Sequence, residues 1–107
     1  MTLEEYDNFF ETIVYPIVED LGFIYTIKAI AHDKGKSSTE HRFSLQLEED
    51  SWASLQLKVM FRGNKAHHFE ISLWVNPKEI LFYKTAFPNK DDILDCVDKL
   101  RKFLTEE

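Results

Sequence analysis

From Trp52 to Asn76 the chain reads WASLQLKVMFRGNKAHHFEISLWVN, with apolar and polar residues alternating. Ala53, Leu55, Leu57, Val59 and Phe61 fall on one side of an extended chain. Trp52, Ser54, Gln56, Lys58, Met60 and Arg62 fall on the other. The second arm repeats the pattern, with Phe69, Ile71, Leu73 and Val75 opposed by His68, Glu70, Ser72 and Trp74. Period-two alternation marks a half-buried strand, because successive side chains point to opposite faces. Gly63-Asn64-Lys65 predicts a three-residue hairpin loop with Arg62 opposite Ala66. That register sets Leu57 against Ile71, Leu55 against Leu73 and Lys58 against Glu70, so apolar meets apolar and opposite charges meet. A slip of one residue would turn every core side chain outward.

At the N-terminus the period changes. Thr2-Leu3-Glu4-Glu5 is a capping-box pattern. Leu3, Tyr6, Phe10, Ile13, Ile17 and Leu21 then recur at three and four, widened by Phe9, Val14 and Val18. This is an amphipathic helix with an acidic outer face, Glu4, Glu5, Asp7, Glu11, Glu19 and Asp20. Pro16 should kink or split it, because its ring removes a backbone bond and crowds the carbonyl of Thr12. Gly22 is a natural stop.

Phe23–His32 reads as a first strand, with Phe23, Tyr25, Ile27 and Ala29 on one face and Ile24, Thr26, Lys28 and Ile30 on the other. Asp33–Glu40 (DKGKSSTE) has the composition of a mobile polar loop. Phe43, Leu45 and Leu47 alternate with Arg42, Ser44, Gln46 and Glu48 in a second strand. Periodicity cannot separate strand from helix over Glu79–Phe87, but its Tyr, Phe and Thr content favours a fifth strand. Asn89 is a good helix cap, and Ile93, Leu94, Val97, Leu100, Phe103 and Leu104 form the last apolar stripe. Acids open that helix and Lys99, Arg101 and Lys102 close it, as the helix dipole prefers.

The expected architecture is one α+β domain over residues 1–107: an N-terminal helix, a four- to five-stranded antiparallel meander, and a C-terminal helix, with both helices on one sheet face. A length of 107 residues leaves room for one core, and 44% hydrophobic content is enough to fill it.

Charge and chemistry narrow the function. Acidic residues number 19 against 13 basic ones, a net charge of −6, which argues against general duplex DNA or RNA binding. The single cysteine, Cys96, excludes an internal disulfide framework, and no zinc spacing is present. There is no signal-type leader or apolar run of membrane-spanning length, so the cytoplasm is the expected compartment, with no membrane association. The three glycines form no phosphate loop, and no nucleophile or metal motif occurs, so no catalytic residue, metal or cofactor is expected. Adjacent His67 and His68 point to opposite faces of a strand and cannot chelate one ion together. His41 and His67 share the core-side parity. A solvent-filled pocket holding them beside a carboxylate would favour an enzyme.

Two resemblances are short. Pro16–Phe23, PIVEDLGF, resembles the helix end that opens the N-terminal domain of bacterial ribosome maturation factors. It covers eight residues, and the strand-rich continuation departs from that pattern. The acidic helix–sheet–helix layout is similar in outline to small secretion chaperones, which place a helix among their strands where this chain has none. Neither carries a function over.

What the alternation singles out is the outer sheet face. Trp52, Trp74, Met60, Lys58, Arg42 and Arg62 share its parity, and Trp, Met and Arg are enriched where proteins meet partners. The reading is a small acidic protein-binding domain of inhibitor, immunity or chaperone type, whose partner is another protein or a second copy. The alternative is a sheet that stacks single-stranded nucleic acid on its aromatics.

Overall fold

A computed structural model describes residues 1–75 and 77–105; Asn76, at the predicted end of the hairpin, and Glu106 and Glu107 lie outside them. Five strands form one antiparallel meander in the order β1 (Ile24–Asp33), β2 (Lys36–Glu48), β3 (Ser51–Arg62), β4 (Lys65–Val75) and β5 (Lys78–Ala86). Helical segments α1 (Leu3–Phe9) and α2 (Tyr15–Asp20) precede the sheet, and α3 (Lys90–Thr105) follows it. The ambiguous run after Pro77 is thus the fifth strand.

Tyr25, Phe43, Leu55, Leu73 and Leu81 form one row across the inner face of the sheet, and His41, Leu57, Ile71 and Tyr83 belong to the next. Tyr6 of α1 meets Phe61 edge-on at 6.2 Å, and Phe10 lies 6.2 Å from Phe43. On α3, Ile93, Cys96, Val97 and Leu100 are buried in the same core, and the Lys99 amine stands 4.8 Å from the Tyr83 ring. Burial pushes the Cys96 thiol above its usual pKa, and its side chain packs as a small core residue.

The N-terminal helix is split just before Pro16, as the proline predicts: α1 ends at Phe9, and α2 begins at Tyr15 with Pro16 in its first turn. Phe10–Val14 form a π-helical turn that joins α1 to α2, and the Tyr15 amide donates to the Phe10 carbonyl. One extra residue is absorbed there, which accommodates a proline that cannot donate. The core stripe moves by one residue as a result. Tyr6, Phe9 and Phe10 are buried as expected, but the next buried positions are Val14 and Val18, while Ile13 is 41% exposed and Ile17 only partly buried. A regular α-helix would have turned Ile13 and Ile17 inward.

Each strand pair contains one bulge, and three further expectations change because of local backbone geometry. The β3–β4 connection is a two-residue turn, Gly63-Asn64, with Arg62 opposite Lys65 and Phe61 opposite Ala66. His67 is then the extra residue of a bulge, which restores the expected register from Met60–His68 onward. Asp33–Glu40 is no mobile loop. Lys34 and Gly35 both take positive φ, 45° and 80°, which makes a tight hairpin turn, and Asp33 already pairs with Lys36. Lastly, Thr26 is bulged between the Tyr25–Phe43 and Ile27–Arg42 pairs, and its hydroxyl donates to the Arg42 carbonyl at 3.0 Å. Beyond it the parity of β1 reverses. Ile27 and Ala29 join Arg42 and Glu40 on the outer face, while Lys28 and Ile30 join His41 and Thr39 on the inner one.

Candidate functional site

The six predicted contact residues share the outer parity but do not form one patch. Trp52 pairs with Gln46 and Trp74 with Ser54 at one end of the hairpin, while Met60 pairs with His68 and Arg62 with Lys65 at the other. Eight residues separate Trp52 from Met60, a span of ~26 Å at about 3.3 Å per residue. Between them runs a row of alternating charge, Glu40–Lys58–Glu70–Lys84. Arg42 lies 2.6 Å from Glu40, and His68 lies 3.0 Å from Glu70. Arg42 is therefore paired within the chain and Lys58 stands between Glu40 and Glu70 in the register, while Trp52, 48% exposed, stands clear. The Trp74 indole donates to the Ser72 hydroxyl at 3.3 Å.

Apolar exposure concentrates on β1. Ile24, Ile27 and Ile30 are 64%, 50% and 54% exposed, and no strand lies beyond this edge among the described residues. The composition of Phe23–His32 hinted at this through isoleucines on both faces. The edge position did not show in it.

A second feature lies between the N-terminal helix and the inner side of β1 and β2. The π turn absorbs one residue, so Tyr15 returns to the helix wall that already carries Asp7, Phe10 and Glu11. With Tyr25, Lys28 and His41 from the sheet, these side chains line an open cavity of about 340 Å³. The floor is aromatic. Phe10 stacks on the His41 imidazole at 3.6 Å with planes 9° apart. Phe10, Tyr15 and Tyr25 stand 5.7–6.3 Å from one another with planes 54–78° apart.

His41 is 2% exposed, and its Nδ1 shares a 2.8 Å hydrogen bond with the Tyr25 hydroxyl. Its Nε2 is buried without a partner among the described residues, as are the Tyr6 hydroxyl and Asp7 Oδ1. Burial, and then the Lys28 charge, bring its pKa down to about 4, so the ring is neutral at pH 7. Burial is also the main cause that raises the Tyr25 phenol, followed by Tyr15, Glu11 and Asp7. Lys28 reaches Asp7 Oδ1 only at 4.0 Å.

The shared parity of His41 and His67 does not bring them together. His41 lines this cavity, whereas bulged His67 lines a groove with Arg62, Lys65 and Phe87 near the hairpin turns. Among the described residues no three His, Cys, Asp or Glu side chains are grouped to hold a metal ion, and no helix is long and apolar enough to cross a membrane. Sequence reasoning overlooked this cavity because its lining depends on the π turn and on the Thr26 bulge, which turns Lys28 inward. Pro16 was the signal for the first, and Thr26 marks the second only in the structure.

The described residues form an α+β meander with an exposed sheet edge along β1 and a cavity beside the N-terminal helix. No protein-family model matches the sequence, and no curated protein or solved structure shows significant similarity to it.

Proposed function

We propose that this chain is a non-enzymatic protein-interaction domain that receives an extended segment of a partner along the edge of β1. The carrying observation is the exposure of Ile24, Ile27 and Ile30 on a ten-residue edge strand. Edge strands present a row of backbone donors and acceptors, and natural proteins blunt them with charge, proline or cover. Here the bulge at Thr26 disturbs only the start, and Lys28 turns inward toward Asp7. An added strand would bond to the edge and lay alternate apolar side chains against Ile27 on one face and Ile30 on the other. Arg42, opposite Ile27 in the register, lies one strand in on the same outer face.

The same features fit an inhibitor, an immunity-type neutraliser or a chaperone, which differ only in the partner. A second copy of the chain is the competing occupant, and a cytoplasmic setting agrees with the buried thiol. The nucleic-acid reading loses support, since Lys58 and Lys84 face Glu40 and Glu70 and leave no basic groove.

The test compares wild type with Ile27→Lys/Ile30→Lys, both checked for folding by circular dichroism. Light scattering reports self-association, and immobilised protein captures partners whose footprint is mapped by amide exchange. Slowed exchange over residues 27–33, lost with the lysines, is expected. A footprint elsewhere, or undiminished binding by the folded variant, would sink the proposal.

A further inference from the structure

The cavity beside α1 combines acidic and aromatic walls. Its carboxylates, Asp7 and Glu11, stand one helical turn apart on the same wall, and His41 is neutral at pH 7. Against Lys28 this leaves the lining with a net charge of one negative at neutral pH. Asp7 Oδ1 is a buried acceptor with no hydrogen-bond donor among the described residues, and the Lys28 amine at 4.0 Å is too distant to serve. Such an acceptor calls for a charged N–H donor. The other walls are three mutually tilted aromatic rings, Phe10, Tyr15 and Tyr25, whose π faces attract cations. Anions meet the wrong charge here, and neutral apolar molecules leave the carboxylate unsatisfied.

We infer that this cavity binds an organic ammonium group carried on a short apolar stem. Asp7 accepts its N–H bonds, Glu11 adds charge attraction at the mouth, and the aromatic rings receive the ammonium and its stem. A volume of about 340 Å³ lies at the lower end of small-molecule pockets, so the stem is a few carbons long. A free alkylamine and a lysine side chain on a polypeptide share this chemistry. Lys28 competes for Asp7 through a loose pair, both side chains more than a third exposed, so a ligand displaces it readily. The inference does not depend on strand addition at the β1 edge.

The experiment is a two-dimensional amide NMR titration of the full chain with n-butylammonium, butanol and butyrate. n-Butylammonium should give saturable shifts at Asp7, Glu11, Tyr25 and Lys28, with little response to the neutral or anionic analogue. Asp7→Asn/Glu11→Gln should weaken binding by about tenfold or more, the scale of one charge-assisted contact. Lys28→Met should strengthen it by removing the competing cation, and serves as the test if the first variant fails to fold. Acetyl-Gly-Lys-Gly-amide separates the sources: tighter binding than n-butylammonium identifies a lysine side chain, and equal or weaker binding a free amine. Equal shifts with butanol or butyrate overturn the inference. So do shifts mapping away from the cavity, or a folded variant that titrates like wild type.

Discussion

The two edges of the sheet have similar compositions and different fates. β5 carries Ile80, Leu81, Phe82 and Tyr83; Leu81 is buried, Ile80 and Tyr83 are partly buried, and α3 packs alongside with Lys99 over Tyr83. β1 carries Ile24, Tyr25, Ile27 and Ile30, of which only Tyr25 is even partly buried. The helices account for the difference. α3 runs against β4 and β5, whereas the N-terminal helix sets Tyr6 and Phe10 onto Phe61, His41 and Phe43 of β2 and β3. It meets β1 only near its start, through the cavity that holds Tyr25 and Lys28. Exposure at an edge therefore reflects where helices lie and not how apolar the strand is. The strand edge and the cavity are two consequences of that same incomplete cover.

The contrast is sharpest in truncation of matched residues. Leu81→Ala on β5 should cost ~2–5 kcal/mol in urea unfolding, the range for a large-to-small change in a core. Ile30→Ala on β1 should stay within about 0.5 kcal/mol, as exposed substitutions do. Similar losses at both positions would mean that β1 is covered in solution, by a second copy for instance.

Acid should act on the β1 side. His41 binds protons less readily in the folded chain, at about 4 against 6.5, so its neutral form contributes stability that is complete above pH 6.5. That contribution is lost as pH falls from 6.5 toward 4, up to ~3 kcal/mol for a shift of this size. Lys28 and Asp7 also face this region, so the interval from pH 6.5 to 5 is compared with and without the histidine. Unfolding free energies there should decline for wild type and remain level for His41→Phe. A matching decline in the variant would assign the effect to other groups.

Placement of the N-terminal helix, which leaves β1 bare, rests on the π turn. Val14→Ala should cost ~2 kcal/mol, the worth of part of a buried side chain and its cavity, and Ile13→Ala far less. The reverse ranking would restore a regular helix with Ile13 inward.

These particulars also show what was legible in the sequence. The hairpin register from Met60 to Ala53 followed from alternation and matched charges, and α3 followed from its stripe and from Asn89. The Asn89 side chain accepts from the Asp92 amide at 2.9 Å while Asp92 answers at 3.0 Å. One-residue irregularities were not legible: the π turn, the bulges at Thr26 and His67, and the positive φ of Lys34. The π turn and the two bulges each shift a periodic pattern by a single position, and apart from Pro16 composition carries no record of where the shift falls. Both features proposed to carry function lie downstream of such a shift. The six outer-face residues had the right parity, but parity alone cannot say how far apart they stand or which are already paired.

The smallest expected effect concerns the lysines that tie each edge to a helix. Lys28 reaches Asp7 at 4.0 Å, with both side chains more than a third exposed. Such a pair is worth little, so Lys28→Ala should change stability by about 0.5 kcal/mol or less. Lys99 meets Asp95 at 3.2 Å as well as the Tyr83 ring, so Lys99→Ala should be the more costly of the two. Thermal melts of both variants at low and high salt check this. The Lys99 deficit should shrink only in part with salt, because its ring contact is less screened than its carboxylate contact. If Lys28→Ala proves the more damaging, the N-terminal helix is fastened to β1 through Asp7, and the cavity is closed more tightly than its geometry implies. Displacement of Lys28 by an ammonium ligand would then carry a measurable cost in affinity.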